Sequence, residues 1–181
     1  LYRPIPAATS SEITLPPRKQ EYLIVDGYNI IFAWDGLREQ AQTDLPGARE
    51  RLLDLLSNYC GYHPCELVVV FDSYRVKGGI GSRTKERNLR VVYTAEGESA
   101  DQYIEALADR IGKNYSVRVA TSDGLVQLSA LRSGVLRMSA SELLHEVGRV
   151  NEKIAQVIRQ LHEESRRAAI RNNPLRDIPK P

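Results

Sequence analysis

Two cysteines, Cys60 and Cys65, are too few for a disulfide framework, so a reducing cytoplasm is the expected setting. Methionine is scarcer still. Met138 stands alone and the chain begins at Leu1, so no initiator Met is present. The expectation is a processed product, a trimmed chain or a domain cut from a longer polypeptide. No apolar run approaches the roughly 18 residues of a membrane span and no signal peptide is visible, so no membrane partner is expected. An excess of one charge is missing too: Lys+Arg is 25 and Asp+Glu is 23, a net of +2. On that number alone a nucleic-acid partner is neither suggested nor excluded. Internal repeats and low-complexity tracts are absent.

Proline is nearly absent from the middle of the chain. Pro4, Pro6, Pro16 and Pro17 lie near the start, Pro174, Pro179 and Pro181 near the end, and only Pro46 and Pro64 between. Proline fixes φ and lacks an N–H, so such ends resist regular structure. Residues 1–20 read as a Pro-rich arm or linker, 21–172 as one folded domain and 173–181 as a tail. What is present is ordinary globular composition, 42% hydrophobic and 27% charged in 181 residues.

Within the domain, short apolar runs alternate with helical patterns. Tyr22-Leu23-Ile24-Val25, Leu67-Val68-Val69-Val70-Phe71 and Val117-Arg118-Val119-Ala120 read as buried strands. Leu89–Tyr93 is a fourth, and Val135–Met138 a short fifth. Pro46 suits the first turn of a helix over Ala48–Tyr59, with Leu52, Leu53, Leu55 and Leu56 as its apolar stripe. Ser99 and Gln102 have capping-box spacing before a helix over 100–112. Leu125–Arg132 reads as a short helix and 140–171 as a long one. Alternating strands and helices imply an α/β fold, a mostly parallel sheet of about five strands with helices on both faces.

Three of these strands run into an aspartate: Asp26, Asp72 and Asp123. A fourth, Asp101, sits in the first turn of the helix after Tyr93, with Glu98 just before it. An Asp after a strand is also a common turn former or helix cap. In open α/β sheets, however, the ligand crevice lies at the carboxyl ends of the strands, so all four acids are expected on one edge. Clustered like charges are unfavourable unless a cation compensates, and hard cations such as Mg²⁺ or Mn²⁺ take oxygen ligands. Such a site can polarise a phosphodiester and activate a water to attack phosphorus.

The segments Val25-Asp26-Gly27-Tyr28-Asn29-Ile30-Ile31, Phe71-Asp72-Ser73, Glu98-Ser99-Ala100-Asp101 and Thr121-Ser122-Asp123 resemble, in order, the motifs of the NYN domains, PIN-like ribonucleases, and specifically their YacP-like branch. The resemblance spans about residues 21–165. It implies a three-layer, Rossmann-like fold and a metal-dependent endoribonuclease. It casts Asp26, Asp101 and Asp123 as metal ligands, and Asp72 as a further catalytic acid acting on the metal directly or through water. Asn29 would orient the loop or contact substrate, and Ser122 would contact substrate or serve as a local hydrogen-bonding residue. The family also implies RNA, mRNA in particular, as substrate, an association with the ribosome, and fusion of some members to a translation GTPase.

Residues 73–90 hold Arg75, Lys77, Arg83, Lys85, Arg87 and Arg90 against a single acid, Glu86, with Gly78, Gly79 and Gly81 interspersed. This reads as a mobile basic loop beside the acidic crevice, with Arg75, Lys77, Arg83 and Lys85 able to neutralise phosphates. Tyr28, Tyr74 and Trp34 are candidates for base stacking or for the core. Cys60, His63 and Cys65 are too few to close a zinc site and read as a helix end turning into a strand. Leu143, Leu144, Val147, Val150, Ile154, Val157, Ile158 and Leu161 form a stripe expected to pack on the sheet or a helix, with His145 and His162 facing solvent or neighbours and Arg166, Arg167 and Arg171 as a solvated basic end.

Other α/β chemistries lack their marks. An aspartyl phosphatase needs a second Asp two residues after Asp26, where Tyr28 stands. A receiver domain needs an acidic pair at the first strand end, and a dinucleotide site its glycine fingerprint. A non-catalytic PIN-like scaffold holding RNA or the ribosome is the remaining alternative to the enzyme.

Overall fold

The structure, a computed structural model, describes residues 20–73, 81–122 and 134–171. Its elements are β1 (Glu21–Asp26), α1 (Gly27–Ala33), α2 (Asp35–Ala41), α3 (Leu45–Tyr62), β2 (Glu66–Phe71), β3 (Ser82–Glu86), β4 (Leu89–Tyr93), α4 (Ala100–Ile111), β5 (Ser116–Ala120), β6 (Leu136–Met138) and α5 (Ala140–Arg171). The expected arm at 1–20, the tail at 173–181 and the helix at Leu125–Arg132 lie almost wholly outside the described residues.

The six strands form one sheet in the order β3-β4-β2-β1-β5-β6. Every pairing is parallel except β3 with β4. Strands buried on both faces alternate their side chains between two cores. Leu23, Val25, Leu67, Val69 and Phe71 face α1, α3 and α5, whereas Ile24, Val68, Val70 and Val119 face α4. The result is the three-layer arrangement expected from the alternation of strands and helices.

The sheet has six strands rather than about five, because part of the expected mobile loop is a strand. Ser82–Glu86 pairs antiparallel with Leu89–Tyr93 through a two-residue turn, Arg87-Asn88. Nothing in that dipeptide resembles the usual Asn-Gly hairpin turn, and Arg87 takes a positive φ of 55°. Side chains hold it there. Arg87 pairs with Glu50 at 3.2 Å and Asp54 at 2.9 Å, and the Asn88 amide donates to the Ser57 carbonyl at 3.1 Å. The short helices α1 and α2 also had no clear periodic signal, being seven residues each.

Helix α3 starts where Asp44 accepts from the Gly47 N–H, with Pro46 in its first turn. Helix α5 begins with a reciprocal cap: Ser139 and Glu142 each accept the other's backbone N–H. The Trp34 indole, almost fully buried, donates to the Ala140 carbonyl at 2.8 Å and ties α1 and α2 to this helix. The apolar stripe of α5 packs only in part. Leu143, Val147 and Val150 are buried and Ile154 packs at the core's margin, but Leu144, Val157, Ile158 and Leu161 are exposed. A 32-residue helix is about 48 Å long, longer than the layer beneath it.

One polar cluster crosses the helical layer. Arg118 on β5 donates to Glu21 of β1 at 2.6 Å, to Tyr59 of α3 at 3.0 Å and to Glu146 of α5 at 3.2 Å. The Tyr59 phenol donates to Glu146 at 2.5 Å. Burial opposes the charge on Glu146, but the Tyr59 hydrogen bond and the Arg118 guanidinium outweigh it and hold its pKa below the ordinary carboxylate range. Burial, and then the bond to Glu146, push the Tyr59 phenol up. A carboxylate with a depressed folded pKa stabilises the protein above its unfolded value, about 4.3, and loses that contribution as pH falls through the folded value. Glu146→Gln is therefore expected to lower stability at neutral pH by about 1–3 kcal/mol and to flatten its decline below about pH 4.3. Urea midpoints measured across pH check this, and an acid limb parallel to that of the parent chain would refute it.

Candidate active site at the carboxyl ends of the strands

Asp26 is the last residue of β1 and the N-cap of α1, where its Oδ1 accepts the Asn29 N–H at 3.0 Å. It is buried, 6% exposed. The chain turns directly from strand to helix at Gly27. A Cβ there would come within 2.2 Å of the Phe71 ring, so only glycine lets α1 start this close to β2. Asp26 thus emerges at the sheet edge, beside the end of β2.

Asp72 follows β2 and lies between two anchored residues. The Phe71 carbonyl accepts from the Thr94 N–H, and the Ser73 N–H donates to Thr94 Oγ1 at 3.1 Å. This lacing to the end of β4 fixes the strand exit that carries the acid. Asp101 sits in the first turn of α4, whose start is set by the predicted capping box: Gln102 N–H to Ser99 Oγ at 3.2 Å, and Ser99 N–H to Gln102 Oε1 at 3.1 Å. Asp26, Asp72 and Asp101 line one cleft of about 300 Å³, together with Tyr28, Asn29, Phe32, Ser99 and Ala100. Three of the four expected acids therefore line the same cleft; Asp123 lies outside the described residues.

Asn29 has two tasks. Its N–H holds Asp26, while its side-chain Oδ1 accepts from both the backbone N–H of Ser122, at 2.7 Å, and the Ser122 hydroxyl. It ties α1 to the exit of β5, one residue before Asp123. Of its two expected roles, orienting the loop is the one visible in these bonds. Ser122 is likewise engaged locally.

The expected phosphate contacts divide. Arg75 and Lys77 lie outside the described residues. Arg83 and Lys85 are on β3, along a separate groove and not on the walls of the cleft. Glu98 does not line the cleft either. Tyr28 packs edge-on against Phe71, receives a hydrogen bond from Arg49 at 2.9 Å and lines the cleft, whereas Trp34 is in the core. The residue missed in the sequence is Phe32. It lies one turn after Tyr28, is 37% exposed and lines the cleft. Its exposure had no signal in the sequence, where Ile30-Ile31-Phe32 reads as one apolar run. Arg49 had none, because only the packing of α3 on α1 brings it to Tyr28.

The donors around the cleft are carboxylate, amide and hydroxyl oxygens. Among the described residues no three acidic, imidazole or thiol groups close on one point. The set fits a hard cation that retains several waters and takes one or two carboxylates, and it does not fit a soft metal. The thiols lie elsewhere: Cys60 Sγ donates to the Cys65 carbonyl in the turn from α3 into β2, and burial pushes the Cys65 thiol up to about 12.

An α/β sheet with strand-end acids around a cleft is common to several α/β classes, and comparison with known proteins identifies this one as PIN-like. The YacP-like NYN domain family matches residues 23–178, and the chain belongs to that family. It is 37% identical over 145 residues to the uncharacterized protein YacP of Bacillus subtilis (strain 168), covering 80% of this chain and 85% of that one. The crystal structure of Rae1 (YacP) from Bacillus subtilis is similar with a TM-score of 0.70 at 35% identity, covering 82% of this chain and 86% of that chain. A single-site variant of that protein gives 0.68 at 33% identity, covering 80% and 86%. Membership of the NYN family is consistent with a nuclease or RNA-related role. No helix among the described residues is long and apolar enough to cross a membrane.

Removing the Asn29 side chain tests how the site is held. Asn29→Ala is expected to cost about 1–2 kcal/mol for the two lost bonds and to speed amide hydrogen exchange at Ser122, while the Asn29 N–H still caps against Asp26. Unchanged exchange at Ser122 would remove the tether from the site.

Proposed function

We propose that this chain is a divalent-metal-dependent endoribonuclease that hydrolyses RNA phosphodiesters with water as nucleophile. The observation that carries this reading is that Asp26, Asp72 and Asp101 line one cleft, at the strand edge where α/β folds bind ligands. Membership of the YacP-like NYN family supports RNA as the substrate class. The free thiols Cys60 and Cys65 suit a reducing cytoplasm.

Asp26 and Asp101, with Asp123 from the motif after β5, would hold Mg²⁺ or Mn²⁺. The metal would supply a water of lowered pKa and a positive charge against the phosphate oxygens. Asp72, fixed by the Thr94 lacing, would hold an attacking water by hydrogen bond. Asn29 keeps Asp26 in place and holds the strand exit that leads to Asp123. The exposed Phe32 ring offers a face on which a base next to the cleaved bond would stack.

The Asp26→Asn change is well suited to a test, because Asn also caps helices and the bond from the Asn29 N–H survives the loss of charge. Asp101→Asn leaves the Ser99–Gln102 cap intact. Each is expected to lower Mg²⁺- or Mn²⁺-dependent cleavage of single-stranded RNA at least about 100-fold, the scale of losing one electrostatic stabiliser, with an unchanged circular-dichroism melt. Cleavage by the parent chain in excess EDTA would overturn the metal mechanism. Tight RNA binding without cleavage at any metal concentration would leave an RNA-binding module instead.

A further inference from the structure

A second concave surface lies on the α4 side of the sheet. Helix α4 packs on β1, β2 and β5 and shares a core with Val92 of β4, while Arg83 and Lys85 of β3 and Arg90 of β4 stay exposed beside it. The open strip forms a groove of about 440 Å³ bounded by strand and helix. Two periodicities line it. On α4, Tyr103, Leu107, Arg110 and Ile111 recur at helical spacing, and on β3, Arg83 and Lys85 recur at strand spacing. Arg90 of β4 completes the wall.

Arg83, Lys85, Arg90 and Arg110 are all exposed. In the β3–β4 register Lys85 lies directly opposite Arg90. Like charges directly opposite on an antiparallel pair destabilise the sheet. Glu66 offsets Arg90 in part, at 3.4 Å, but among the described residues Lys85 and Arg110 have no ion pair. The Arg83 guanidinium stands 5.5 Å from the centre of the Tyr103 ring, a pairing that presents flat faces as well as charge. Tyr103 lies two residues beyond Asp101 on α4, about 3 Å along the axis and on the other side of the helix, so α4 separates the groove from the acidic cleft. From Asp101 to Arg110 the helix rises about 14 Å.

We infer that this groove binds the RNA strand beyond the cleaved bond: the phosphates lie along Arg83, Lys85, Arg90 and Arg110, and a base packs on Tyr103. The inference rests on the nuclease reading for the polarity of the strand, but its binding is measurable apart from cleavage. The cleft lining is acidic, with Asp26, Asp72 and Asp101, whereas the groove carries Arg83, Lys85, Arg90 and Arg110, so the basic track that a polyanion needs is found on the groove. The single-stranded form fits best, since stacking platforms with a cationic track are how unpaired strands are held.

The test uses the full chain carrying Asp101→Asn, so that RNA survives, and fluorescently labelled single-stranded oligoribonucleotides of increasing length. Lys85→Ala with Arg110→Ala is expected to weaken binding of the longer oligonucleotides about tenfold and to make the slope of log K against log salt shallower by about 1.4, two lost phosphate contacts. Arg149→Ala, on the exposed side of α5, should leave both unchanged. Thermal melts of the variants establish that they fold. An unchanged affinity and salt slope in the double variant overturns the groove even if the parent chain cleaves RNA. Absence of cleavage by the parent chain, with groove-dependent binding intact, overturns the nuclease reading and leaves the groove standing.

Discussion

The site depends on one asparagine spanning two strand exits. In a parallel sheet every strand ends at the same edge, but nothing in the ladder fixes the loops that follow. Asn29 does so from a helix that begins at the sheet edge. Its N–H secures Asp26 at the end of β1, and its amide oxygen takes both donors of Ser122 at the end of β5. The close approach of α1 to the sheet, possible only because Gly27 leaves room for the Phe71 ring, puts Asn29 within reach. A larger residue at position 27 would push α1 outward and break both contacts. Glycine, asparagine and aspartate within four residues are thus one mechanical unit.

That unit works only if the layers beneath it do not shift. The Arg118 cluster supplies the restraint by joining β1, β5, α3 and α5 through one guanidinium. A buried or half-buried charge is costly to leave unpaired, so each partner that moved away would strand the others. The Trp34–Ala140 bond does the same for α1, α2 and α5. These ties are polar links through an otherwise apolar core. Leucine and valine contacts tolerate sliding, whereas hydrogen bonds of about 3 Å specify one alignment.

The central strands were legible because burial on both faces leaves short continuous apolar runs, as in Leu23-Ile24-Val25 and Val68-Val69-Val70. The strand-end acids followed from the parallel topology, and the start of α4 from the Ser99–Gln102 spacing. Strand β3 was not legible: Ser-Arg-Thr-Lys-Glu is polar throughout, because an edge strand with one open face needs no apolar side chains. Its turn uses Arg87 in a conformation that the ion pairs with Glu50 and Asp54 stabilise, and those partners come from α3, far away in sequence. The exposed second half of α5 misled for the opposite reason. Its helical period is real, but periodicity shows which residues share a face and not whether anything covers it.

Reading 82–86 as a strand also changes the meaning of its charges. In a mobile loop, Arg83 and Lys85 could reach the cleft and retreat from it. On a paired strand they are held along one line, opposite Val92 and Arg90. The protein therefore separates its two signs of charge in space: acids at the carboxyl edge, and bases along the uncovered strip beside α4. A net charge of +2 conceals that separation. For a polyanion at a carboxylate site the division is favourable, because the attraction that holds the strand and the acids that face the reacting phosphate need not occupy the same few ångströms. With a Debye length of about 8 Å at physiological salt, Arg110, about 14 Å along α4 from Asp101, interacts only weakly with that acid.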